Sequence, residues 1–239
     1  MLVVILHTEV LGNGEPMLFL HTALQTGITD FEYQREYFKS AYTVILPDLR
    51  GHGKSVTNEL SDFFSNSAED IRDTLDHLGL QSVHIVGCSV GALVGLAFSK
   101  RYPQRVKTLT LSGILPEQPA NWLELHKAEV ARQSAIVQNE QVTAYFNFLH
   151  GEGWEQLLEI GENAGWYPFE ETRDLTGLTM PVLYMVGEGN AAEVKGVMIY
   201  PEMIADLHVS VVPFASHLVH AEQAEVYSRL LEQFLERSK

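Results

Sequence analysis

Short apolar runs alternate with longer stretches of mixed polarity along most of the chain. Because these runs are rich in β-branched and aromatic residues and are bounded by Gly, Pro, Asp or polar turns, they predict strands that are buried on both faces. Parallel strands cannot be joined by tight hairpins, so the alternation predicts a mostly parallel, doubly wound α/β sheet flanked by crossover helices. The runs are MLFLH (residues 17–21), YTVILPD (42–48), VHIVG (83–87), VKTLTLSG (106–113), PVLYMVG (181–187) and LHVSVVPF (207–214).

Two segments carry the spacing of amphipathic helices. In SAEDIRDTLDHLGL (67–80), Ser67 is a candidate N-cap and Gly79 a candidate C-terminal stop. The final AEQAEVYSRLLEQFLERSK (221–239) repeats the pattern and is expected to close the domain. The apolar positions at helical spacing in the first segment are Ile71, Leu75 and Leu78.

One stretch interrupts the alternation of strands and helices. Residues 115–173 contain no convincing strand and several helix-like stretches, which predicts a helical cap insertion over one end of the sheet, with residues 1–114 and 174–239 forming the core domain. Most of its aromatic residues are expected to attach the insertion to its base, and a minority to line a pocket. They are Trp122, Tyr145, Phe146, Phe148, Trp154, Trp166 and Tyr167.

Composition narrows the classes of partner and compartment. With 31 acidic and 16 basic residues, the formal charge of −15 repels phosphate backbones and anionic lipid, so neither nucleic acid nor a membrane is expected as a partner. The apolar start MLVVILHTEV lacks a basic n-region and a cleavage site, so it predicts a first strand and not a signal peptide. No run approaches the roughly 18 apolar residues of a membrane span. A single cysteine fits a reducing compartment, and the cytoplasm is expected.

A candidate nucleophile lies between an apolar strand and an apolar helix. The sequence Gly87-Cys88-Ser89-Val90-Gly91 has the strand-turn-helix context of a nucleophile elbow, in which small neighbours permit a strained turn that exposes the serine hydroxyl. A helix that begins at about Val90 directs its free N–H groups at the site, so the Val90 amide is a candidate oxyanion donor. Cys88 precedes the apex and is expected to point into the core.

Together with this elbow, three further motifs resemble those of the α/β-hydrolase fold family, in the family's order. LPDLRGHGKS (46–55) resembles the Asp-x-Arg-Gly-x-Gly-x-Ser loop, GNGEPMLFLHTALQTG (12–27) the strand that leads to the His-Gly oxyanion loop, and PFASHLVHAEQAEVYSRLLEQFL (213–235) the segment with the catalytic histidine. The resemblance covers nearly the whole chain except the insertion. It implies the α/β-hydrolase fold with a cap and the activity of a small serine hydrolase or esterase.

The same resemblance restricts the choice of general base. The family's chain order of serine, acid and histidine leaves His208, His217 and His220. His208 lies within a predicted strand and His220 begins the last helix, whereas His217 lies in the loop from which a side chain can reach Ser89. A metal site at His217 and His220 has no third ligand to complete it, so no metal and no cofactor are expected.

The second oxyanion donor is expected at Ala23, by analogy with the residue that follows the family's His-Gly pair. This sequence departs from the pattern there, because Thr22 replaces the glycine and a Cβ must fit where the loop usually turns tightly. His21 is expected to brace the loop and not to catalyse.

The catalytic acid is the least determined part of the site. The family's Gly-x-x-Asp pattern after the penultimate strand places an amide, Asn190, where the carboxylate is expected. Asn190 could orient the histidine as asparagine does in papain-like Cys-His-Asn sites, or Glu188 or Glu193 could reach the histidine from the same loop, or Glu117 from the loop after the preceding strand. Asn190 could also simply end the strand and fill a turn.

These residues predict a serine hydrolase with a small-molecule substrate. Ser89 would attack the carbonyl of a small carboxylic ester, thioester or lactone with His217 as base, and an acyl-enzyme would form and be hydrolysed. The aromatic residues of the insertion favour an apolar acyl or alcohol group. The alternatives are another chemistry of the fold, such as a carbon–carbon hydrolase or lyase, and a ligand-binding or signalling protein with weakened turnover. Dehalogenation is disfavoured, because it needs an aspartate nucleophile in place of Ser89.

Overall fold

The computed structural model describes residues 4–238, in which seven strands alternate with helices. The strands are β1 (Thr8–Leu11), β2 (Glu15–Leu20), β3 (Tyr42–Pro47), β4 (Val83–Cys88), β5 (Val106–Ser112), β6 (Val182–Gly187) and β7 (Leu207–Val212). The α-helices are α1 (Glu32–Phe38), α2 (Phe63–His77), α3 (Val90–Arg101), α4 (Trp122–Val137), α5 (Glu140–His150), α6 (Gln156–Glu159), α7 (Phe169–Thr172), α8 (Ala191–Val194), α9 (Gly196–Ile199), α10 (Val219–Glu222) and α11 (Ala224–Arg237). Among these described helices, none combines the length and the apolar character needed to cross a bilayer.

The strands form one sheet in the order β1-β3-β2-β4-β5-β6-β7. Only β1 pairs antiparallel, with β3, and every other neighbouring pair is parallel. The chain winds first to one edge of the sheet and then, from β4, to the other, so helices cover both faces. The prediction of a mostly parallel, doubly wound sheet is therefore confirmed.

The two faces of the sheet bury two separate hydrophobic clusters, and β2 contributes to both. Leu18 and Leu20 pack in the cluster that includes residues of α2 and α3, whereas Met17 and Phe19 pack in the cluster that includes residues of α1 and α11. This alternation is the two-residue period of a strand covered on both faces. Each such fully buried side chain contributes about 2 kcal/mol of hydrophobic free energy.

One local prediction is wrong and another is met only in part. The first strand, Thr8–Leu11, overlaps the end of the apolar start at residues 8–10, and residues 1–3 of that start lie outside the described residues. Ser67 is not an N-cap, because α2 begins earlier, after Asp62, and Ser67 is fully buried within the helix. Phe63 packs into the core from the added first turn, so tertiary packing overrides the local capping signal. Gly79, at φ +70°, does end the helix as expected.

The segment between β5 and β6 contains the helices α4 to α7 and, within the described residues, no strand. The division of the chain into a core and a cap at residues 115–173 stays a prediction. Of the aromatic residues in this segment, Trp122 and Trp154 are buried, Phe148 is exposed, and Trp166 lines a cavity described below.

Candidate active site

Ser89 lies at a sharp turn between the end of β4 and the start of α3. Its φ of +54° is in a region that a residue with a Cβ rarely adopts. The two flanking glycines make this turn possible: a Cβ on Gly87 would lie 2.6 Å from the carbonyl oxygen of Gly91, and one on Gly91 would overlap the carbonyl oxygen of Leu20. The elbow therefore needs both glycines, and it holds Ser89 in the strained conformation that presents a nucleophile.

Cys88, the rival nucleophile, is fully buried behind the turn. Burial raises the pKa of its thiol well above the usual value, so the reactive thiolate is scarce at neutral pH. Its Sγ lies 3.7 Å from the carbonyl oxygen of His217, a contact that a thiol can make as a weak donor. Cys88 is therefore a buried core residue that packs beneath the site.

His217 lies in the loop after β7, and its Nδ1 is 2.6 Å from Oε1 of Glu193. Because a carboxylate can only accept, Nδ1 carries the hydrogen and Nε2 keeps its lone pair for a proton. Burial alone would lower the pKa of His217, but the hydrogen bond and charge of Glu193 outweigh it and raise that pKa above the usual value. Burial raises the pKa of the Glu193 carboxyl, against the opposing effect of His217. The pair is thus a candidate general base that a buried carboxyl group orients.

Gly113, which follows β5, shows how near the base lies to the elbow. A Cβ on Gly113 would be 3.0 Å from Cε1 of His217 and also 3.0 Å from the backbone nitrogen of Ser89. These two atoms are therefore no more than about 6 Å apart, twice 3.0 Å. The structure thus brings the predicted base and the predicted nucleophile together at the carboxyl ends of the strands, where α/β sheets place their ligands.

Glu222 fixes the loop that carries His217. One carboxylate oxygen accepts from the N–H of Ser216 at 2.8 Å and the other from the N–H of Leu218 at 2.9 Å, so both neighbours of the histidine are held by a single side chain. Glu222 could not be identified from the sequence, because nothing in its spacing distinguishes it from a solvated helix residue.

Asn190 does not orient the histidine, which corrects that prediction. Asn190 is the N-cap of the short helix α8, where its Oδ1 accepts from the N–H of Glu193 at 3.4 Å and its Nδ2 donates to Oε1 of Glu193 at 2.6 Å. Because Glu193 is three residues after the N-cap, its carboxylate lies beside Asn190, where it also contacts His217. The Asn190 amide therefore positions the Glu193 carboxylate, and that carboxylate binds the His217 ring. The signal in the sequence was Asn-x-x-Glu, the spacing of a capping box.

The other two candidate acids are engaged elsewhere. Oε1 of Glu188 accepts from the backbone N–H of Phe214 at 2.9 Å and braces the loop after β7. Glu117 forms a surface ion pair with Lys195 at 2.7 Å. The structure places Glu193, and neither of these, at His217.

Two backbone amides, those of Val90 and Ala23, are candidate oxyanion donors. Val90 provides the first N–H of α3, which has no partner within a helix, and Ala23 lies in the loop after β2. Within residues 4–238, neither N–H donates to another group, and both residues line the same cavity. The positive end of the α3 dipole adds to the attraction for a developing negative charge.

Thr22, which stands where the family's pattern has glycine, has a structural explanation. The N–H and hydroxyl of Thr22 donate to Oδ2 of Asp30 at 2.8 and 3.0 Å, and Oδ1 of Asp30 accepts from His220 at 2.7 Å. Burial would raise the pKa of Asp30, but these hydrogen bonds and the charge of His220 lower it. The left-handed turn falls instead on Leu24, at φ +59°. The threonine Cβ therefore needs no special conformation, and its polar atoms anchor the loop.

His21 braces this loop from its other end, as predicted. Its Nε2 accepts from the N–H of Leu49 at 2.8 Å, and its Nδ1 donates to the carbonyl of Thr22 at 2.8 Å. His208 lies apart from the site, on the exposed surface beside Asp206.

A cavity of about 140 Å³ lies between the oxyanion loop and the helical segment above it. Its walls are mostly apolar, and polar groups come from one side of α4 and from the loop after β3. Across the described residues, no group of His, Cys, Asp and Glu side chains is arranged to hold a metal ion. The lining residues are Ala23, Leu24, His52, Phe63, Val90, Glu129, Arg132, Gln133, Ile136, Leu157, Leu158, Ile160, Gly161 and Trp166.

Comparisons with known proteins agree with the observed fold. The family described as alpha/beta hydrolase fold matches residues 15–188. The chain is 31% identical over 118 residues to the uncharacterized hydrolase YcgS of Bacillus subtilis, a match that covers 49% of this chain and 40% of that protein. It is 23% identical to 3-oxoadipate enol-lactonase 2 of Acinetobacter baylyi, over 98% of this chain and 94% of the lactonase.

Among solved structures, a thermophilic esterase from Thermogutta terrifontis superimposes with a TM-score of 0.77. The two proteins are 23% identical, and the match covers 98% of this chain and 93% of the esterase. At this level of identity the likeness concerns the fold.

Proposed function

The chain belongs to the α/β-hydrolase fold family, and from that membership we propose that this hydrolase cleaves a small carboxylic ester, thioester or lactone through an acyl-enzyme on Ser89. The observation that carries the proposal is the hydrogen bond of 2.6 Å between His217 and Glu193, beside a serine held at an elbow. It supports Glu193 as the acid of the site, which the sequence alone left open.

The proposed reaction follows from the atoms available. Nε2 of His217 takes the proton of Ser89 as Oγ attacks the carbonyl carbon, and Glu193 stabilises the imidazolium that forms. The carbonyl oxygen becomes an oxyanion, which the amides of Val90 and Ala23 stabilise. The tetrahedral intermediate then collapses, and His217 gives its proton to the departing alkoxide or thiolate. Water repeats these steps on the acyl-enzyme and releases the acid.

The alternative of a binding or signalling protein loses its support in the sequence. That alternative rested on the amide at position 190 and the threonine at position 22. Asn190 contacts a nearby acid and Thr22 anchors its loop to Asp30, so neither substitution argues for weakened turnover.

Labelling with a fluorophosphonate tests the proposed nucleophile directly. We expect intact-mass spectrometry to show one adduct on the wild-type protein and none on Ser89→Ala. Cys88→Ala is the matched control one residue away, and it should label like the wild type because the buried thiol is not the nucleophile. A wild-type protein that neither labels nor hydrolyses p-nitrophenyl acetate would contradict the proposal, as would an adduct that persists on Ser89→Ala.

A further inference from the structure

His52 is a buried side chain in the wall of the candidate substrate cavity. It lies in the loop between β3 and α2, is only 2% exposed, and lines the cavity together with Ala23 and Val90. Its ring packs edge-on against two other imidazoles, with centroid distances of 5.0 Å to His21 and 5.6 Å to His150. The fold therefore holds this ring in one orientation next to the oxyanion donors.

The hydrogen bonds determine which ring nitrogen of His52 carries the hydrogen. Nδ1 is 3.0 Å from the carbonyl oxygen of Arg50, which can only accept, so Nδ1 is the donor. Burial lowers the pKa of His52 well below its usual value, and the neighbouring His21 and His150 lower it further. The ring is thus neutral at pH 7, and Nε2 carries a lone pair that accepts a hydrogen bond.

This acceptor has no partner within the described part of the chain. Nε2 is not fully enclosed, and the cavity that His52 lines is the space from which a ligand could reach it. The other polar side chains of the cavity bond to one another from the helix α4: Arg132 donates twice to Glu129, and Gln133 donates to the same carboxylate. His52 therefore offers an unused acceptor within largely apolar walls, where a ligand that lacks a donor would leave it unsatisfied.

We propose that Nε2 of His52 accepts a hydrogen bond from the substrate, and that the preferred ester, thioester or lactone carries a hydroxyl or amide N–H on its acyl group. This inference rests on the proposed function. The acyl group is assigned because the cavity includes the oxyanion donors but not His217, which protonates the leaving group. Its volume of about 140 Å³ suits an acyl chain of only a few heavy atoms. His52 is accordingly a specificity-determining residue.

A set of matched esters tests the inference. The kcat/KM of p-nitrophenyl butanoate is compared with those of its 2-hydroxy and 3-hydroxy derivatives, each divided by its rate of spontaneous hydrolysis. In the wild type we expect the better hydroxy ester to exceed the plain ester by about tenfold or more, the value of one well-made hydrogen bond to a buried acceptor.

Two substitutions of His52 separate the acceptor from its packing. In His52→Asn the side-chain amide can still donate to the Arg50 carbonyl but nothing replaces Nε2, so the ratio should fall to about one. In His52→Gln a carbonyl oxygen can reach the position of Nε2, so part of the preference should return. His208→Asn, on the exposed surface, is the control and should keep the wild-type ratio. Thermal unfolding shows whether each variant is folded.

The outcomes distinguish this inference from the proposed function. A wild-type ratio near one, or an unchanged ratio in a folded His52→Asn, overturns the role of His52, while an acyl adduct on Ser89 from the plain ester leaves the proposed function intact. If no ester acylates Ser89 and the fluorophosphonate does not label it, the proposed function fails and the inference falls with it.

Discussion

Two histidine–carboxylate pairs of this structure differ in their surroundings. His217 binds Glu193 at 2.6 Å and His220 binds Asp30 at 2.7 Å, and the two histidines are three residues apart in the segment that follows β7. The two contacts are nearly equal in length, although His217 uses its Nδ1 and His220 its Nε2.

Access to the second ring nitrogen distinguishes the pairs. The side chain of His217 is 44% exposed and can take up a proton from a neighbour, whereas that of His220 is 2% exposed and its Nδ1 is enclosed without a partner among the described residues. A carboxylate-bound imidazole is therefore a base only where its other nitrogen is accessible. The enclosed pair instead holds Thr22, and with it the oxyanion loop.

Removing the accessible imidazole should have the largest effect on turnover. We expect His217→Ala to lower kcat for a p-nitrophenyl ester by about 10⁴- to 10⁶-fold, because the members of such a triad act as a unit. The melting temperature should change little, since the side chain is half exposed. His220→Ala is the matched comparison, and a larger loss of kcat in that variant would reverse the roles of the two pairs.

Removing the charge of the accessible pair should come next. Glu193→Gln should lower kcat by about 10⁴-fold, the cost of replacing the acid of a triad by its amide. The wild-type rate should rise with pH through a value above the usual histidine pKa, because His217 must be neutral to act and Glu193 raises its pKa. In the variant this acid limb should move to lower pH. A wild-type profile of kcat/KM against pH in Glu193→Gln would show that another group orients the base.

The enclosed pair should affect stability more than turnover. Asp30→Asn should reduce the free energy of unfolding by about 3 kcal/mol, because it leaves buried partners poorly satisfied, and should lower kcat by only about tenfold. The folded-state pKa of Asp30 is lowered, so its stabilising contribution is present above about pH 4 and is lost as the pH falls further.

Chemical denaturation at pH 7 and pH 3 measures both effects. The difference in stability between Asp30→Asn and the wild type should shrink at the lower pH. An equal difference at both pH values would mean that the charge of Asp30 contributes nothing to folding.

The smallest effect is expected at Asn190. Asn190→Asp removes the hydrogen bond from Nδ2 and places a second carboxylate beside Glu193. Like-charge repulsion then raises the pKa of the pair. We expect kcat near pH 8 to fall by about tenfold or less. Asn190→Ser, which keeps an N-cap without adding charge, is the control. A rise in kcat for Asn190→Asp would mean that position 190 itself orients the histidine.

The parts of the site that follow from local sequence could be predicted. The turn at Ser89 is encoded within five residues, because the strand, the two glycines and the helix are neighbours in the chain. The buried strands are equally local, since each is a short apolar run bounded by turn residues.

The parts of the site that depend on a local turn of the chain or on contacts between distant residues could not be predicted from the sequence. Glu193 reaches His217 only because the first turn of α8 brings it back beside Asn190. Asp30 meets His220 across 190 positions of sequence. The free lone pair of His52 likewise depends on the Arg50 carbonyl and on the burial of the ring. Spacing along a chain does not reveal which of several carboxylates will be enclosed.

Gly113 makes the candidate active site sensitive to a single-base change in the gene. A single-base substitution converts any glycine codon to an alanine codon, and at this position the added methyl group would press on the ring of His217 and on the backbone of Ser89, at a φ of +67° that alanine resists. The cavity does not include Gly113 in its walls. A Gly113→Ala variant should therefore still admit its substrate but turn it over slowly. Such a variant could be used to capture and identify that substrate.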